Sequence, residues 1–248
     1  PIKSSAASDV YKRQILSQDG NMRKQNKWLF SIPDSHGRSV LSGTYNAQHN
    51  AFNTSFSETL VTAIWKGSAA TNSTFYGYQP QGINITSPTI ESVNYYDNYE
   101  FKSYNSLNAE YDCEDLTGYD KQYPGGQQGM LTGSITRATS GNVLYAVFYY
   151  DERENMVQSK QSNLLGGKEK NYFTYNFRKK PIKHRHVHTA NNKTIAEVYN
   201  YNYDHGERSI KTTYQPEING TTLAQITLAD REYDEVAVSY THLTLPTT

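Results

Sequence analysis

His184-Arg185-His186-Val187-His188 is the one local group of residues in this chain whose types and spacing could do chemistry. Alternate residues of a strand share a face, so the three imidazoles would line up on one side with Ile182. Neutral imidazole is the commonest metal ligand, and an ion held by His184, His186 and His188 could serve a hydrolase. No Asp or Glu stands alongside to orient the rings, so the favoured reading is a polar, solvent-facing strand, with no metal, no cofactor and no enzyme. Arg178-Lys179-Lys180, Lys183 and Arg185 make a local basic patch. Such a patch could hold an anionic glycan, with Lys183, Arg185 and Tyr99 as contacts. A solvated face is the simpler reading.

Other chemistry is thinner. Cys113 is the only cysteine, which excludes an internal disulfide and a thiolate cluster. Nothing near it supplies a base, so it is not read as a nucleophile. No Ser-His-Asp order, phosphate-cradling glycine loop or zinc-protease helix is present. Five Asn-x-Ser/Thr triplets, at Asn53, Asn72, Asn84, Asn192 and Asn219, are read as coincidence in an Asn/Thr-rich chain. With 24 basic and 24 acidic residues the formal charge is zero, which argues against general nucleic-acid binding.

The elements that would carry these residues are strands. The 248 residues include 22 tyrosines, and Tyr, Thr, Val and Ile suit a half-buried pleated surface. Mean hydropathy is low, so tyrosine rings must supply much of the buried area. Strands are expected within 26–41 (around a turn at 33–37), 60–65, 75–78, 82–85, 90–96, 130–136, 143–150, 156–161, 172–177, 182–187, 195–203, 210–214 and 222–228. Strand 143–150 is apolar on both faces and should be covered on both sides. Asn219-Gly220 suits a type I′ hairpin turn. Residues 98–128 read as a long irregular excursion rich in Tyr, Asn and Gly. No stretch keeps a helical period, so helix content should be low.

A turn signature recurs: Tyr150-Asp151, Tyr203-Asp204-His205-Gly206, Tyr233-Asp234, and a looser copy at Asp34 with Gly37-Arg38. Tyr150, Tyr175, Tyr203 and Tyr233 fall roughly every 25–30 residues, a spacing of stacked repeat units. Each hairpin cannot bury its own face, so neighbours must cover it. The pattern resembles the Rhs/YD-repeat family of bacterial surface and secreted proteins: Tyr-Asp, free positions, Gly-Arg, then an apolar residue. Matching residues are Tyr203, Asp204, Gly206, Arg208 and Ile210, and Asp34, Gly37, Arg38 and Val40. The stretches 93–99, 129–134 and 164–170 also resemble recurring passages of large members. The departures are Glu154-Asn155 after Tyr150-Asp151, Lys179 after Tyr175-Asn176, and Glu207 between Gly206 and Arg208.

The resemblance implies an all-β fold of antiparallel β-hairpin repeats forming part of a spiral β-sheet shell. It further implies a secreted or cell-surface parent, with flanking repeats as partners and a C-terminal toxin enclosed in some members. The function expected is a structural fragment of such a wall. The alternative is an adhesion module that binds cell-surface glycan through exposed aromatics and the basic strand. The termini are read as foreign: 9–14 back-translates to GATGTGTATAAGAGACAG, which resembles a transposon sequencing adapter, and 238–243 to its reverse complement. The expected organisation is a disordered tail at 1–14, a degenerate β-repeat region at 15–128, a hairpin array at 129–237 and a disordered tail at 238–248. No membrane span is expected.

Overall fold

The computed structural model describes residues 5–8, 13–48, 60–233 and 239–242, the first and last of these as backbone strands. It is nearly all antiparallel β-sheet, with about half of the chain in strands, as expected. Among the described residues no helix is long and apolar enough to cross a membrane. The chain divides into two compact units, Pro1–Ala109 with Leu131–Tyr145, and Glu110–Met130 with Ala146–Thr248. The division falls inside the Tyr/Asn-rich excursion and inside a strand.

The first unit contains β1 (Ser5–Ser8), β2 (Gln14–Gln18), α1 (Gly20–Lys24), β3 (Lys27–Pro33), β4 (Ser39–Asn46), β5 (Thr62–Trp65), β6 (Tyr78–Gln81), β7 (Thr89–Tyr96), α2 (Glu100–Tyr104) and β8 (Leu131–Arg137). Its main sheet runs β1-β2-β3-β4-β7-β8, all antiparallel, and β5 pairs with β6 separately. β3 alternates in burial because one face holds Trp28, Phe30 and Ile32 in the core. The α2 helix lays Phe101 flat on Tyr95, with ring centroids 4.4 Å apart. This works because Gly133 lies opposite Tyr95 on β8: a Cβ there would sit 2.1 Å from the Phe101 ring. The strands expected at 75–78 and 82–85 differ. Residues 73–75 form a 3₁₀ turn, and the strand starts at Tyr78 and includes Pro80, which a two-stranded edge tolerates.

In the second unit the strands are β9 (Val143–Tyr150, beginning in the first unit's residues), β10 (Met156–Ser162), β11 (Lys168–Tyr175), β12 (Pro181–Ala190), β13 (Lys193–Tyr203), β14 (Ser209–Ile218), β15 (Thr221–Thr222), β16 (Ile226–Tyr233) and β17 (Ser239–His242). From β9 each strand pairs with the next, except that β14 takes both β15 and β16. Asn219 and Gly220 both have positive φ, as a type I′ turn requires. Two short pieces of the tails expected to be disordered, β1 and β17, pair with β2 and β16.

The buried strand in this unit is β10. Val157, Gln158, Ser159 and Lys160 are all nearly inaccessible, whereas the first half of the apolar β9 is half-exposed. The cover is residues 110–130, which cross one face of β9 to β12 as a strap. Tyr149 donates to the Tyr111 carbonyl (2.6 Å), the Asp120 amide to the Phe173 carbonyl (3.1 Å), and the Tyr123 amide to the Tyr150 carbonyl (2.9 Å). Part of the expected loose excursion is thus a fixed element.

Candidate functional site

The recurring feature of this protein is a five-residue turn frame. Asp34, Asp151, Asn163, Asn176 and Asp204 each start one. In every copy the amide of the first residue donates to the carbonyl four residues on, at 2.8–3.0 Å. The fourth amide donates back to the first carbonyl, at 2.9–3.3 Å. The first side chain's Oδ1 then accepts two further amides, those of the third and fifth residues: His36 and Arg38 at Asp34, Arg153 and Asn155 at Asp151, Leu165 and Gly167 at Asn163, and Arg178 and Lys180 at Asn176. At Asp204, Oδ1 takes the Arg208 amide at 2.8 Å. The reason for Asp or Asn is therefore local: a short side-chain acceptor satisfies amides the turn would otherwise strand.

The fourth position has positive φ throughout: Gly37, Glu154, Gly166, Lys179 and Glu207. This corrects the reading of Gly206 as the turn glycine. Gly206 stands one place early, and Glu207 takes the left-handed conformation at φ 65°. Arg208 still occupies the fifth position, as Arg38 does, and its Nε donates to Asp204 Oδ2 at 2.7 Å, matching Arg38 to Asp34 at 2.7 Å. The Arg208 amide and then its guanidinium hold the Asp204 carboxyl below its usual range. Where Asn155 replaces the arginine, its side-chain amide makes the same bond to Asp151 Oδ2 at 2.7 Å.

Four of these hairpins carry a β-bulge at one equivalent place. The pairing slips between Ile32 and Pro33, between Met156 and Gln158, between Thr174 and Tyr175, and between Asn202 and Tyr203. The residues skipped are Val40, Val157, Ile182 and Ile210, all β-branched. The apolar position of the sequence motif is thus the bulged residue. A bulge disrupts the ladder next to it, and the tyrosine of the following hairpin uses the carbonyl so released. Tyr175 donates to Met156 O (2.8 Å), Tyr203 to Pro181 O (2.9 Å) and Tyr233 to Ser209 O (3.0 Å). Met156, Pro181 and Ser209 are equivalent residues, each just before a bulge. Burial pushes the Tyr175 hydroxyl up to about 12 and raises Tyr203 as well, so each remains a donor.

Cations cap two of these rungs and a further tyrosine in the first unit. Arg38 lies 4.3 Å over the Tyr96 ring, Lys180 5.3 Å over Tyr203, and Arg208 4.5 Å over Tyr233. In the Asp151 hairpin the cation has moved to Arg153, which lies 4.8 Å over Phe177 and donates to its carbonyl. Lys179 and Lys180 reach the carbonyls of Arg153 and Glu207 in turn. In the first unit, Arg38 also holds Asp97 in a bidentate pair, at 3.0 and 2.7 Å. Tyr96-Asp97, within the stretch 93–99 that resembles family passages, is a further Tyr-Asp step. Asp234 lies outside the described residues.

The strap is anchored by a polar cluster that composition could not reveal. Glu114 Oε1 forms an ion pair with Lys160 (2.6 Å) and accepts from Lys170 (2.8 Å), and Oε2 accepts from the Tyr172 hydroxyl (2.6 Å). Gln158 exchanges two hydrogen bonds with the Glu114 backbone. Burial acts to raise the Glu114 carboxyl, but Lys160, Lys170 and Tyr172 outweigh it and hold the group at about 2.

The histidine strand finds the carboxylates that its own sequence lacks, supplied by neighbouring strands. His186 Nε2 is 2.8 Å from Glu169 and its Nδ1 3.3 Å from Glu197; His188 Nδ1 is 2.6 Å from Glu169. His184 bonds Asn171 and stacks on Phe173 at 4.4 Å, and burial holds it below the usual imidazole value. Among the described residues no group of His, Cys, Asp and Glu is arranged to hold a metal ion. Arg185 is paired with Glu217 at 2.8 and 2.6 Å, and Lys183 lies 4.6 Å over the Tyr119 ring. Tyr99 belongs to the first unit, with Lys102 over its ring. The three residues named for glycan contact are therefore not assembled into one site within either unit. The rings of Phe173, His184 and Tyr199 stack on one another within 18° of parallel, so their faces cover each other. Cys113 is half-buried, which raises its thiol.

No family model and no curated protein matches the chain. Among solved structures it is similar to TcdB2-TccC3-TEV, at 14% identity and a TM-score of 0.28, and to TcdB2-TccC3-Cdc42, at 12% and 0.30. The matches take in 92% and 98% of this chain, which spans only 12% and 14% of those chains.

Proposed function

We propose that this chain is a section of wall in a large Rhs/YD-repeat protein, secreted or on a bacterial surface, whose shell encloses a C-terminal toxin. Its work is mechanical. At the Asp151, Asn176 and Asp204 hairpins an Asx side chain fixes the turn, and the carbonyl beside the bulge is handed to the tyrosine of the next. The single observation that supports this reading most is the threefold repetition of that bond, at Tyr175, Tyr203 and Tyr233. A ligand site needs one such constellation; a wall repeats it along its length.

The test is the state of the isolated chain. Cut repeat arrays expose unpaired sheet edges. The chain should self-associate when purified alone and become monomeric when expressed with the flanking segments of its parent reading frame. A stable monomer from the isolated chain, with no further hairpin repeats in the parent frame, would refute the wall.

A further inference from the structure

The first unit holds a hollow of about 180 Å³ that the wall does not need. Asp34, Arg38, Trp65, Tyr78, Tyr96 and Asp97 are among its lining. Two carboxylates and one guanidinium line it together with His36, whose Nδ1 is 3.9 Å from Asp34 Oδ2, so the sum is one negative charge while that imidazole is neutral. Arg38 cannot swing in to cancel it for a guest: Nε is committed to Asp34 and both Nη atoms to Asp97. Four rings, of Trp65, Tyr78, Tyr95 and Tyr96, share the rest of the lining with smaller polar and apolar side chains. Tyr78 is 5% exposed and lies edge to face with Trp65, at 5.4 Å. Trp65 is itself fixed by its indole N–H donating to Glu100 at 2.8 Å. One cation–π contact already exists here, Arg38 over Tyr96.

Aromatic walls and a net negative charge around a small hollow are the chemistry that recognises an organic cation. We propose that this hollow binds a small quaternary ammonium group, such as the choline headgroup. The cation is drawn by the excess carboxylate charge, and its methyl groups pack on the rings. An anionic ligand is repelled by the excess negative charge, and a neutral one gains nothing from it.

The test uses the full chain and two probes of equal shape, choline and its uncharged carbon isostere 3,3-dimethylbutanol. The chain has two tryptophans, and Trp28 is 2% exposed within the core, so two indole N–H signals report by NMR. Choline should move the Trp65 signal saturably and leave that of Trp28 in place. The isostere should bind at least about tenfold more weakly, since it lacks the charge. Asp97→Asn should remove the choline response. An unmoved Trp65 signal, or equal binding of the two probes by the unaltered chain, would overturn the proposal whatever the variant does.

Discussion

Removing the hydroxyls of Tyr175, Tyr203 and Tyr233 together is the perturbation that weighs the ladder. In Tyr203→Phe the ring and the Lys180 contact remain, and only the bond to Pro181 O is lost. A neutral hydrogen bond is worth about 1 kcal/mol net, and the half-buried carbonyl left behind adds a little more. The three rungs stand on successive hairpins, about 10 Å apart at two strand spacings, so their losses should add. The triple variant should therefore lose about 3 kcal/mol. That corresponds to a fall in Tm of about 6–12 °C for a chain of this size. The assay is urea denaturation followed by far-ultraviolet circular dichroism, with Tyr123→Phe as control because Tyr123 is half-exposed on the strap. The control should stay within about 0.5 kcal/mol of the parent. A triple variant as stable as the control would refute the reasoning.

Further outcomes follow from the same geometry. Glu154→Gly should stabilise the chain by about 0.5–1 kcal/mol, because the residue sits at positive φ, where a Cβ is strained. Gly206→Ala should be nearly neutral, since its Cβ would come no closer than 3.4 Å to any neighbour, whereas Gly37→Ala, at φ 83°, should cost about 1 kcal/mol. The Glu114 carboxyl is held at about 2 in the fold, below its unfolded value, so its contribution is full above the ordinary carboxylate range and is lost as pH falls toward about 2. Discounted for its partial exposure, that contribution is about 1–2 kcal/mol. Glu114→Gln should cost at least that at pH 7, because Lys160 stays buried, and the gap between the two proteins should narrow as pH falls, read by the same denaturation. Arg38→Lys should cost about 1–2 kcal/mol, since a point ammonium cannot reproduce the fork that joins Asp34 and Asp97.

Where sequence and fold agree, local chemistry decides. Asp34 and Asp204 announce their turns because a short acceptor followed by an arginine four residues on is itself the turn's bonding pattern. Asn219-Gly220 announces its hairpin for a similar reason. What stayed hidden needed partners from distant segments. Gln158-Ser159-Lys160 looks like a solvent strand, yet it is buried, because Glu114 reaches across from 44–46 residues away to answer it. His186 gives no sign of Glu169 and Glu197, which only strand register brings beside it. Gly206 misleads because an Asx-anchored frame tolerates Glu207 at positive φ, so the glycine need not sit where the turn bends. Val40 and Ile210 were visible as the motif's apolar position and Val157 and Ile182 were not, and the meaning of all four as bulges lies in pairing, which spacing alone does not state.

The most direct measurement of the ladder is the carbonyl-carbon NMR shift of Met156, Pro181 and Ser209 in the parent chain and in the triple Tyr→Phe variant. All three resonances should move upfield together when their hydroxyl donors are removed, while carbonyls elsewhere in β10, β12 and β14 stay in place. Three unmoved resonances would mean that the tyrosines do not join one hairpin to the next.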